Sequence, residues 1–211
     1  MIKQIEQCRI VPVAAVDTLE NGLKLCESLS EAGLPVIEIT FRTAIAAELI
    51  AAASREFPEM AIGAGTVLNS DDLQKAVDGG AQFAVAPGTN PTVLEKALSY
   101  EGFEFYPGVC SPSDIELAYS LGAKTLKFFP AEAAGGVKML KSLCGPYGHL
   151  GIKFCPTGGI NATNMTDYLA IKDVIAIGGS WMVSKDLFGD WDKLKSITRD
   201  AVAIAQMKEA S

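Results

Sequence analysis

A chain of 211 residues, 49% hydrophobic and 20% charged, can bury a substantial core, which excludes a disordered or fibrous protein. Its net charge of −7 argues against nucleic acid as a partner, because neutralising phosphates takes clustered Lys and Arg; a locally positive site for a small anion stays open. The longest apolar runs are broken by charge or glycine short of a membrane span, so no membrane partner is expected.

The chain opens on the amphipathic, mixed-charge segment Ile2-Lys3-Gln4-Ile5-Glu6-Gln7. It predicts a short helix over about 1–8 rather than a signal peptide, with the cytoplasm as the default location. From there, short β-rich apolar runs alternate with helical patterns. Strand Ile10–Val16 precedes helix Thr18–Ala32, Val36–Phe41 precedes Ala44–Phe57, Ala61–Val67 precedes Asp71–Asp78, and Phe83–Pro87 precedes Pro91–Tyr100. The second half repeats the unit: Glu104–Val109 with Ser113–Leu121, Thr125–Pro130 with Val137–Leu143, Lys153–Thr157 with Asn164–Ile171, and Val174–Gly178 with Trp191–Met207. Capping chemistry supports the boundaries, with Asn69-Ser70-Asp71 and Ser113-Asp114 at helix starts and Gly33, Gly79-Gly80 and Gly122 at helix ends.

Runs such as Val36-Ile37-Glu38-Ile39 and Val174-Ile175-Ala176-Ile177 are almost continuously apolar, as parallel strands buried on both faces require. No linker or low-complexity tract divides the chain. Eight units leave about 26 residues each, enough for a strand, a helix and two short loops. The expectation is an α/β protein forming one (β/α)8 TIM barrel domain over 1–211. The rival, a doubly wound open sheet, usually carries a Gly-rich turn after its first strand. Val13-Ala14-Ala15-Val16-Asp17-Thr18 has none.

The five cysteines, Cys8, Cys26, Cys110, Cys144 and Cys155, are odd in number and form no C-x-x-C pair. With His149 as the single histidine they are too few for a metal cluster, and they read as buried, reduced thiols.

Polar residues inside buried strands carry the chemistry, because a charge buried alone is costly. Glu38 interrupts the second expected strand between Ile37 and Ile39; Lys127 interrupts the sixth between Leu126 and Phe128. Barrel interiors are filled in layers from alternate strands, so two even-numbered strands can bring these side chains together near the axis. A buried ion pair without chemistry and a reactive amine with its acid/base partner both fit this placement. Arg42 lies four residues after Glu38, on the same side of an extended strand and about 13 Å further along, at the C-terminal mouth. An anion contact or a solvated loop arginine fits it. Thr66 in Gly63-Ala64-Gly65-Thr66-Val67 ends the third strand in the same way. Pro156-Thr157-Gly158-Gly159-Ile160 ends the seventh and Gly178-Gly179-Ser180 the eighth, where barrels often bind phosphate on backbone amides. His149, after Pro146-Tyr147-Gly148, reads as a loop residue and not a catalyst. Phe129 is either plain core or a shield for the amine.

Glu38-x-x-x-Arg42-Thr43, Gly63-Ala64-Gly65-Thr66-Val67, Lys127-Phe128-Phe129-Pro130-Ala131-Glu132 and Pro156-Thr157-Gly158-Gly159 resemble the motifs of the 2-keto-3-deoxy-6-phosphogluconate/4-hydroxy-2-oxoglutarate aldolases. The resemblance runs from the first strand to Gly178-Gly179-Ser180-Trp181. It implies a metal-independent class I aldolase with Lys127 as the Schiff-base lysine and Glu38 as the acid/base. It further implies that Arg42 and Thr66 hold the pyruvate carboxylate and that Pro87 and Phe129 pack around the imine. Thr157, Gly158, Gly159 and Ser180 fall at substrate positions, the two glycines and Ser180 at those that bind phosphate. A homotrimer acting on a small-molecule keto acid, with no cofactor, is also implied. Cys110-Ser111 departs from the pattern, since relatives often have another small residue and a threonine there, so the resemblance leaves substrate contacts in that loop open. A phosphate-sugar isomerase or synthase on the same barrel, and a non-catalytic keto-acid-binding barrel, are the rival functions.

Overall fold

In the computed structural model, residues 2–207 are described; position 1 of the expected first helix and positions 208–211 of the expected domain lie outside them. The order is α1 (Lys3–Cys8), β1 (Ile10–Ala14), α2 (Leu19–Glu31), β2 (Val36–Thr40), α3 (Ala46–Glu56) and β3 (Ala61–Gly65). Then come α4 (Ser70–Asp78), β4 (Phe83–Val85), α5 (Pro91–Leu98), β5 (Glu104–Tyr106), β6 (Gly108–Val109) and α6 (Pro112–Ser120). The chain finishes with β7 (Thr125–Phe128), α7 (Gly136–Tyr147), β8 (Lys153–Phe154), α8 (Met165–Leu169), β9 (Ile177–Gly179) and α9 (Trp191–Gln206). No helix of the described residues is long and apolar enough to cross a membrane.

All strand pairs are parallel, as the alternation with helices requires. They form a curled six-stranded sheet, ordered β5-β4-β3-β2-β1-β9, and a three-stranded sheet, β6-β7-β8. Single bridges, Phe154 to Val174 and Thr157 to Gly178, run from the β8 segment towards β9. At the other side the Gly108 amide donates to the Gly88 carbonyl at 3.2 Å. One cluster of buried side chains, including Ile37, Phe83, Leu126, Phe154 and Ile177, fills the space between strands and helices.

Several expected elements are corrected. The strand Glu104–Val109 is two short strands, because Pro107 has no N–H to continue the ladder. Lys153–Thr157 shrinks to Lys153–Phe154, although the Cys155 and Thr157 amides still donate to the Leu126 and Phe128 carbonyls of β7 at 2.8 and 2.9 Å. The expected Val174–Gly178 begins only at Ile177, with Val174 left as an isolated bridge. Helix α7 runs to Tyr147, through Pro146, well past the expected Leu143, and His149 sits exposed in the 3₁₀ turn Gly148–Leu150 that follows. Elsewhere the ends move by one to three residues. Cys110 is exposed and Cys144 half-buried; only Cys8, Cys26 and Cys155 are the buried thiols expected of all five.

The Cys110-Ser111 turn has a local structural task. Ser111 accepts the Asp114 amide at 3.3 Å, and the Asp114 carboxylate takes the Cys110 and Ser111 amides at 2.9 Å each, a capping box for α6. Burial pulls the Asp114 carboxyl up, but these hydrogen bonds outweigh it and hold the group below its ordinary value. That share of stability is therefore present above the unfolded carboxylate range and lost as the pH falls through the folded value. Ser111→Ala should lower stability by about 1 kcal/mol in equilibrium urea unfolding at neutral pH.

Candidate active site

Glu38 stands in the middle of β2, opposite Val13 of β1 and Gly63 of β3. Lys127 stands in β7 opposite Gly108 of β6. They come from different sheets, yet Lys127 Nζ lies 3.2 Å from Glu38 Oε1. Both are buried, with Lys127 6% and Glu38 2% exposed. Space for the carboxylate comes from Gly65, where a Cβ would stand 2.2 Å from Glu38 Oε1. The amine also faces a ring: Nζ is 5.6 Å from the centre of Phe129, within reach of a cation–π contact. Cys155 lies in the same interior, where burial, only partly countered by Lys127, pushes its thiol up to about 12. It stays neutral beside the pair.

The remaining expected residues lie just beyond the C-terminal ends of parallel strands: Arg42 after β2, Thr66 after β3, Pro87 after β4, Phe129 after β7, Thr157 to Gly159 after β8, and Ser180 after β9. Parallel strands place these ends on one side. Arg42 is exposed, and its direction is set by Thr40, whose hydroxyl donates to the Ala14 carbonyl at 2.9 Å and accepts from Arg42 Nε at 3.2 Å. Thr40 was not among the expected residues. Its signal in the sequence is a hydroxyl at the end of an apolar strand, two residues before Arg42 and hence on the same face. Thr66 takes φ +58, a left-handed conformation that strains a β-branched residue. Strain of this sort concentrates at functional loops.

Arg42, Phe129, Thr157, Gly158, Gly159, Gly178, Gly179 and Ser180, with Val13 and Ile160, line a cavity of about 140 Å³. Thr66 and Pro87 stand outside this lining, as do Lys127 and Glu38; Phe129 joins the two regions, its ring lining the cavity and facing the amine. Two clefts of about 480 Å³ elsewhere touch none of the strand-end residues, so size does not mark the chemistry here. What the arrangement offers is a buried amine hydrogen-bonded to a carboxylate, next to a small cavity with a guanidinium and glycine turns. That is a nucleophile with a proton acceptor, plus a place for an anion.

A family model described as KDPG and KHG aldolase matches residues 1–197. The chain belongs to that family. The KHG/KDPG aldolase of Escherichia coli K12 is 42% identical over 200 residues, covering 94% of this chain and 92% of that protein. The 2-dehydro-3-deoxy-phosphogluconate aldolase of Haemophilus influenzae is 43% identical over 206 residues, 97% of this chain and 96% of that protein. Among solved structures, the KDPG aldolase of Legionella pneumophila, with pyruvate captured as a covalent carbinolamine, superposes with a TM-score of 0.89 at 34% identity. That match covers 95% of this chain and 98% of the Legionella one.

In this KDPG/KHG aldolase family member, Gly65 is the tightest steric demand of the pair. Gly65→Ala should destabilise the fold by ~1–3 kcal/mol and push the Glu38 carboxylate away. A crystal structure of the variant should show the Nζ to Oε1 distance beyond hydrogen-bond reach.

Proposed function

We propose that this chain is a class I aldolase that cleaves 2-keto-3-deoxy-6-phosphogluconate to pyruvate and glyceraldehyde 3-phosphate, and/or 4-hydroxy-2-oxoglutarate to pyruvate and glyoxylate. Family membership supports the reaction class. The observation that carries the site is the buried Lys127–Glu38 contact at 3.2 Å.

The cycle follows from that contact. Lys127 passes a proton to Glu38 and attacks the C2 ketone; Glu38 returns that proton to the departing oxygen, which leaves as water, giving a protonated imine and a free Glu38 carboxylate. Glu38 next takes the C4 hydroxyl proton. The C3–C4 bond breaks, its electrons flow into the imine to give an enamine, and the aldehyde leaves. Glu38 returns a proton to C3, and water then hydrolyses the imine to free pyruvate and the amine. Arg42, aimed by Thr40, and Thr66 hold the pyruvate carboxylate. Phe129 and Pro87 pack about the imine. Thr157, Gly158, Gly159 and Ser180 receive the far end of the substrate, the two glycines and Ser180 on its phosphate. Phe129 facing both the amine and the 140 Å³ cavity supports this division; Thr66 and Pro87 rest on their family motifs.

The two sheets belong to one (β/α)8 barrel domain in this reading, supported by the bridges from the β8 segment towards β9 and by the Gly108 to Gly88 bond. The protein works in the cytoplasm as a homotrimer, as the family resemblance implies, without nucleic acid, metal or cofactor.

Borohydride reduction in the presence of pyruvate should add a reduced pyruvyl group to Lys127, located by peptide mass spectrometry. A label elsewhere, or none, would sink the assignment. Glu38→Gln should fold normally and lose turnover by ~10²-fold or more. A fully active variant would remove Glu38 from the cycle.

A further inference from the structure

Behind the Gly158–Gly159 turn lies a hydrogen-bonded strut that the reaction does not use. Tyr168 on α8 is fully buried, and its hydroxyl donates to Glu132 Oε1. Burial first, and then the carboxylate beside it, push the phenol above its ordinary value, so the hydroxyl remains a donor. Glu132 lies between β7 and α7, and its backbone amide donates to the Gly158 carbonyl at 3.0 Å. The Ala131 amide likewise donates to the Thr157 carbonyl at 2.8 Å.

Side-chain contact fixes the same turn. Gly159 has φ +78, and a Cβ there would stand 2.7 Å from Glu132 Cβ and Cγ, so the Glu132 stem occupies the face that a side chain would need. From the other side Asn164 Nδ2 donates to the Gly159 carbonyl at 3.2 Å. Both glycine carbonyls are thus tied to protein. Among the described residues neither glycine amide has a protein acceptor, which leaves both as donors for an anion. The turn also reaches the ring beside the lysine: a Cβ at Gly158 would lie 3.4 Å from the Phe129 ring that faces Nζ.

We propose that Glu132 and Tyr168 are a positioning pair that sets the Gly158–Gly159 turn, and with it the enzyme's preference for a phosphate-ended substrate. The inference rests on the aldolase reading above and on the anion role given there to this turn. Tyr168 acts in two ways. It anchors the Glu132 side chain against Gly159, and it engages a carboxylate whose charge would otherwise oppose a phosphate nearby.

The test compares kcat and KM on 2-keto-3-deoxy-6-phosphogluconate and on 4-hydroxy-2-oxoglutarate for wild type, Tyr168→Phe, Glu132→Ala and Glu132→Gln. Glu132 is exposed, so its variants keep the fold even if the buried tyrosine change does not. Tyr168→Phe and Glu132→Ala should raise KM for the phosphorylated substrate roughly tenfold with kcat little changed, and leave the unphosphorylated one near wild type. Glu132→Gln should stay close to wild type, because its amide oxygen still accepts from Tyr168. Equal losses on both substrates, no loss on either, or Glu132→Gln falling with Glu132→Ala would overturn the proposal while the aldolase reading stands. A wild type that cleaves neither substrate overturns the aldolase reading itself.

Discussion

An ammonium and a carboxylate taken out of water each carry a desolvation penalty on the order of several kcal/mol, and their attraction offsets it only when the geometry is held tightly. The Lys127–Glu38 contact is such a case, and much of the local sequence serves it. Gly65 is glycine because Glu38 occupies its side-chain space. Phe129 closes over the amine. Replacing the pair with apolar residues of similar volume would often be neutral or stabilising. The pair's place in the proposed cycle gives it a reason in chemistry that stability alone does not supply.

The pair also links folding to function, because its members belong to different sheets. Glu38 and Arg42 are carried by β2 in the six-stranded sheet; Lys127, Phe129 and the Gly158–Gly159 turn are carried by β7, β8 and the segments after them. Neither sheet holds a complete site. An amine 3.2 Å from a carboxylate exists here only when the two sheets are set against each other. Sites built on strands gain precision over sites on loops in this way, since each group inherits the rigidity of a ladder.

Much of this was legible in the sequence, for reasons that also explain what was not. Apolar runs between capped helical patterns located every strand region, since burial on both faces leaves a continuous signal. Glu38 and Lys127 stood out because charge inside such a run is rarely accidental, and Arg42 followed from the two-residue period of a strand. Strand lengths were less legible, because a proline such as Pro107 interrupts a ladder by lacking an N–H that an apolar count does not register. Contacts between distant segments left no local mark. The fit of Gly65 to Glu38, the Thr40 hydroxyl under Arg42 and the Glu132–Tyr168 bond join residues at 27, 2 and 36 positions' separation respectively. Only Thr40 was near enough in sequence to be found by spacing.

The separation between amine and anion cavity bears on how one enzyme can accept two substrates. In the proposed cycle the bond-breaking step centres on Lys127 and Glu38, on strands buried in the core. The glycine turns line the 140 Å³ cavity together with Phe129, whose ring stands between Gly158 and the amine. A contact made there, to a group that does not change during reaction, binds ground state and transition state alike and acts on KM before kcat. On the proposed roles, tuning the turn would adjust which keto acid is captured without disturbing the imine cycle. In the proposed cycle, a short substrate lacking the phosphate would forgo only the contacts at the turn and still meet the same lysine.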